Sequence, residues 1–92
     1  MSADVALNEI KRGDEAKRIL ENPIYQEAVE KVRDGLIQAM AVSPLGDATT
    51  HNRLVIGLQL LTQIEKQLQD VMNTGKMANI QVQDKSVFKI FG

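Results

Sequence analysis

The stretch DATTHNRLVIGLQLLTQIEKQLQDVMNTG, residues 47–75, decides how the rest of the chain is read. Leu54, Gly57, Leu61, Ile64, Leu68 and Val71 recur at alternating three- and four-residue spacing, the spacing of a packed helical seam, and predict one helix of about seven to eight turns. Asp47, Thr49 or Thr50 suits its N-cap, and Gly75 after Asn73-Thr74 predicts a left-handed stop. Val55, Ile56, Leu58, Leu60 and Met72 add apolar surface beyond the seam, so this helix needs more than one neighbour. Gln59, Gln63, Gln67 and Gln69 cover much of the remainder, and uncharged polar groups tolerate burial better than Lys or Glu would.

Upstream, SPLGD places Ser, Pro and Gly within a few residues, and Pro44 disfavours helix at Ser43. A short turn between two long helices predicts an antiparallel helical hairpin. Its first arm runs from Pro23 to about Val42, with Tyr25, Val29, Val32, Leu36 and Met40 on the apolar face and Glu27 spaced to pair with Lys31. Asn22-Pro23 supplies an N-cap and a first-turn proline. Reflection about Gly46 sets Gly35 opposite Gly57, which predicts a close helix–helix contact between these two glycines. Before Asn22, apolar residues Val5, Ala6, Ile10, Ala16, Ile19 and Leu20 flank Gly13, and two readings stand: a bent helix, or an arm leading into a helix that restarts at Asp14.

After Gly75 the composition shifts. Ile80 and Val82 alternate with glutamines, and both phenylalanines fall in the final cluster Val87, Phe88, Ile90 and Phe91. Residues 76–92 carry a net charge of +2, from Lys76, Lys85 and Lys89 less Asp84, against −3 for residues 1–75. The chain therefore reads as a helical domain over 1–75 and a C-terminal tail or arm over 76–92. The tail can fold back as a strand on the hairpin, stay disordered, or dock into a partner through Val87, Phe88, Ile90 and Phe91. Taken together, the expected fold is all-α: an antiparallel helical hairpin with an additional N-terminal helix and an extended C-terminal tail.

Length bounds the energetics. A domain of 92 residues hides only about 60 to 65 per cent of its unfolded surface, which makes a homo-oligomer a reasonable expectation and marks Val55, Leu58, Leu60 and Met72 as candidate oligomer surface. The absence of Cys excludes disulfides and thiolate metal sites and suits a reducing compartment. Eleven basic against 12 acidic residues create no strong field toward nucleic acid or anionic membrane. No apolar run approaches the ~20 residues of a membrane span, and no secretory signal opens the chain. The expectation is a soluble, cytoplasmic protein.

Catalytic constellations are missing. His51 is the only histidine, without Cys or an obvious carboxylate beside it, so it forms neither a metal ligand set nor a complete base–nucleophile pair. Glu27 and Glu30 lack the Glu-x-x-His pattern of di-metal bundles, and the glycines are too isolated to cradle a phosphate. The expectation is a non-enzyme with no cofactor and no metal. Lys11, Arg12, Lys17 and Arg18 are interleaved with Glu9, Asp14, Glu15 and Glu21, which leaves nucleic-acid binding undecided.

Leu20 to Ala28 follows the pattern L-x-[ND]-P, two hydrophobic residues, x-x-A, and Leu54 to Lys76 is a Leu-rich helix closing in x-x-G-K. Over roughly two thirds of its length the chain resembles a group of small helical proteins encoded by phages and prophages, often of unassigned role. It departs from that group at Gln38-Ala39-Met40, where a Trp is often found, and in its Phe-rich end. The resemblance implies a phage-encoded, non-enzymatic protein, makes the expected cytoplasm that of a host cell with association with a virion as a further location, and transfers no site residues. With the oligomer argument it gives an interaction protein of virion assembly or genome packaging, with a second phage or host protein as a further partner through the tail. Two other classes stay open: a DNA-recognising small packaging subunit, and a ligand-sequestering or host-inhibitory (anti-defence) protein.

Overall fold

The computed structural model describes the backbone of residues 2–91 and the side chains of residues 2–84. Every described element is helical: α1 spans Ala3–Glu21, α2 Pro23–Val42 and α3 Ala48–Phe91. Each start is capped by the chemistry of the residue before it. The Ser2 hydroxyl accepts a hydrogen bond from the Val5 N–H at 3.2 Å. Asn22 Oδ1 accepts from the N–H groups of Ile24 and Tyr25 at 2.9 and 3.1 Å, with Pro23 in the first turn. Asp47 Oδ1 accepts from the Thr50 N–H at 3.1 Å, which decides among the three candidate caps of α3. These bonds satisfy amide donors that the helix itself cannot reach. Between α2 and α3, Gly46 takes φ +92°, the left-handed region where glycine has no Cβ to clash.

One question about glycine is decided and one expectation is corrected. Gly13 does not interrupt α1, which is continuous from Ala3 to Glu21. Gly75 does not stop α3; it lies inside that helix, and Gly46 is the only positive-φ glycine among the described residues. The reason is tertiary. A Cβ built on Gly13 would lie 2.8 Å from the Gly75 Cα, and one built on Gly75 would lie 2.8 Å from the Gly13 Cα and from the Glu9 carbonyl oxygen. The two glycines are retained because their backbones touch, not because the chain turns there. α3 runs on to Phe91, where an extended tail was expected.

Two compact units result. One joins Met1–Leu20 to Gln67–Gly92, and the other is Glu21–Lys66. In the first, α1 packs on the second part of α3 with Gly13 against Gly75, and Ala6, Ala16 and Ala78 are only 1 to 4 per cent exposed. In the second, α2 packs on the first part of α3. Leu36 Cδ2 comes within 3.3 Å of a Cβ built on Gly57, and Arg33 pairs with Glu65. Tyr25, Val29, Leu36 and Met40 of α2 and Leu54, Leu58 and Leu61 of α3 are half-buried.

Candidate functional site

The described residues contain no large side chain that is fully buried; the core is Ala6, Ala16 and Ala78. Large apolar residues instead lie at the surface: in the Glu21–Lys66 unit these are Ile24, Val32, Ile37, Val42, Leu45, Val55, Ile56, Leu60 and Ile64. Leu45, on the turn beside Gly46, is fully exposed. Scattered surface hydrophobics are ordinary. Fourteen large ones at the surface among the described residues, with none fully buried, are not, because contiguous exposed apolar area marks interaction sites.

Within the Glu21–Lys66 unit, the segment Leu54–Ile64 holds no ionisable residue over three turns. Ile56, Leu58, Gln59, Leu60, Thr62 and Gln63 line a shallow hollow along it. Of the candidate oligomer residues, Val55 and Leu60 are exposed, while Leu58 and Met72 are half-buried. Gly35 and Gly57 are not brought together: nothing lies within 4 Å of a Cβ built on Gly35, and Gly57 meets the Leu36 side chain. The side chains of Val87, Phe88, Ile90 and Phe91 lie outside the described residues.

The polar groups serve the helix ends. Ser43 Oγ donates to the Met40 carbonyl at 2.9 Å, closing α2, and lies 3.1 Å from His51 Nδ1. A hydroxyl has one proton, already committed to Met40, so the ring nitrogen is the donor in the second contact. This is a cap steadied by an imidazole. Hydrogen bonds from Thr50, first its hydroxyl and then its backbone N–H, hold the Asp47 carboxyl below its ordinary value of 3.8. Among the cations of α1, Arg12 pairs with Glu9 at 3.2 Å. The predicted Glu27–Lys31 pair forms at 2.9 Å on an exposed face. No group of three or more His, Cys, Asp or Glu placed to hold a metal occurs among the described residues. No helix among them is long and apolar enough to cross a membrane.

The contact that sequence reasoning missed is Gly13 on Gly75. Its signal was present, since Gly-x-x-Ala occurs once in α1 as Gly13-Ala16 and once in α3 as Gly75-Ala78, the spacing that puts two small residues on one helix face. Compared with known protein families, with curated proteins and with solved structures, the chain matches none of them.

Proposed function

We propose that this chain is a non-enzymatic helical interaction protein that works as a homo-oligomer, of the kind phages use in particle assembly or genome packaging. One observation carries the oligomer: among the described residues no large apolar side chain is fully buried, while Val32, Ile56, Leu60 and Ile64 are each more than half exposed. Burying such side chains is worth roughly 1.5–3 kcal/mol apiece, and a small domain without that gain has little to set against the entropy of ordering its chain. Other copies supply the missing core. The assembly or packaging role rests on the resemblance of Leu20–Ala28 and Leu54–Lys76 to small phage proteins.

The working element of this reading is an antiparallel hairpin of α2 and the first part of α3. Its support is that Ser43 meets His51, Leu36 meets Gly57 and Arg33 meets Glu65, so partners recede along the two helices in opposite senses. Native mass spectrometry with light scattering tests the proposal. The expected result is a discrete multimer at micromolar concentration; a well-folded monomer under the same conditions rejects it.

A further inference from the structure

We infer that copies of this chain pair through one particular side of the Glu21–Lys66 unit, the side bearing Val32, Leu60 and Ile64, with the same side of a second copy. The inference rests on the oligomeric reading above and adds to it the face and the symmetry. The Arg33–Glu65 ion pair fixes the geometry, because it bridges α2 and α3 along one side of the pair. Val32 and Ile64 immediately precede those two residues. A step back of one residue turns each helix by about 100°, and in two helices running in opposite directions both steps lead to the same side, away from the ion pair. Leu60, one turn before Ile64, extends that side. All three are exposed, at 52, 60 and 55 per cent for Val32, Leu60 and Ile64.

A second copy is the occupant that the chemistry favours. α3 has no ionisable residue from Leu54 to Ile64, and the neighbours of Val32 one turn away on α2 are Ala28, Val29, Gly35 and Leu36. This uncharged stretch meets its own copy with no like-charge repulsion, Arg53, two turns before Leu60, being the nearest charge toward the start of that face of α3, and the net charge of −1 adds little between copies. A charged partner would leave its own charges desolvated and unpaired. Pairing a patch with itself is the geometry of a twofold dimer.

The test uses single-cysteine variants of the full chain, which has no cysteine of its own. Val32→Cys, Leu60→Cys and Ile64→Cys are oxidised alone and in pairwise mixtures. Ile37→Cys and Thr62→Cys serve as references, since Ile37 is one turn from Arg33 and Thr62 one turn from Glu65, on the ion-pair side. Disulfide dimers should form at least tenfold faster in the first set than in the references. Leu60→Glu should raise the dimer dissociation constant at least a hundredfold, with helicity checked by circular dichroism. Where that variant fails to fold, the cross-linking decides. An oligomer that cross-links only through Ile37 or Thr62, or that persists unchanged in a folded Leu60→Glu variant, overturns the face and leaves the oligomeric reading standing. A wild-type monomer that gives no cross-link in any variant overturns both.

Discussion

At the residue scale, the glycines separate by what surrounds them. Adding a methyl at Gly13 places it 2.8 Å from the Gly75 backbone, with the Met72 and Val71 carbonyl oxygens 3.3 Å away, so the helices must move apart. Gly13→Ala should cost at least about 1–3 kcal/mol, as overpacking against backbone does. Gly35→Ala enters open space and should gain about 1 kcal/mol from helix propensity. Denaturant unfolding of the two variants should give shifts of opposite sign. Tyr25 offers a third case: its hydroxyl oxygen is buried with no hydrogen-bond partner among the described residues. An unsatisfied buried donor costs about 1–3 kcal/mol, so Tyr25→Phe should raise the melting temperature. A lower one would show that the hydroxyl has a partner after all.

At the element scale, the helices are begun by side chains that answer free amides. Asn22 serves two N–H groups at once, and Asn22→Ala should lose about 1 kcal/mol of stability in a chemical melt. Asp47 adds a pH dependence. Its folded carboxyl titrates below the ordinary 3.8, so its contribution is fully present above that value and is lost as pH falls through the lower folded one. Acid unfolding should therefore respond to this residue at pH 3.8 and below. Asp47→Asn, which keeps an acceptor for the Thr50 N–H, should flatten that part of the profile; an unchanged profile would show that the cap does not titrate with folding. The Arg33–Glu65 pair is about one-third exposed on each side, and such pairs contribute at most about 1 kcal/mol. Its value is in fixing the register of α2 on α3 more than in strength.

At the scale of the whole molecule, stability and association are one quantity. If other copies bury Val32, Leu60 and Ile64, folding is coupled to concentration by mass action. Tenfold dilution should lower the melting temperature of the wild-type chain and leave that of a folded monomeric Leu60→Glu variant unchanged. A concentration-independent wild-type transition would contradict the coupling. The near-neutral charge of the chain permits this crowding of like copies, since little long-range repulsion has to be overcome.

The sequence by itself determined the all-helical class, the breaks at Asn22-Pro23 and Ser43-Pro44, the span of α2 and the cap chemistry. All of these depend on interactions within a few residues: side chain to nearby amide, proline ring to preceding residue, apolar spacing along one helix. It also showed that α3 carries more apolar circumference than one neighbour can cover. Only the tertiary structure decided what Gly13 and Gly75 are for. A glycine in a helical pattern reads locally as a stop or an interruption, and only a second helix 62 residues away in sequence, pressed against it with no room for a Cβ, turns both into points of contact. Packing also explains why Gly35 and Gly57 were paired in error: reflection about a turn fixes their level along the helices, whereas the rotation of each helix, which points Gly35 into open space, is set by its neighbours.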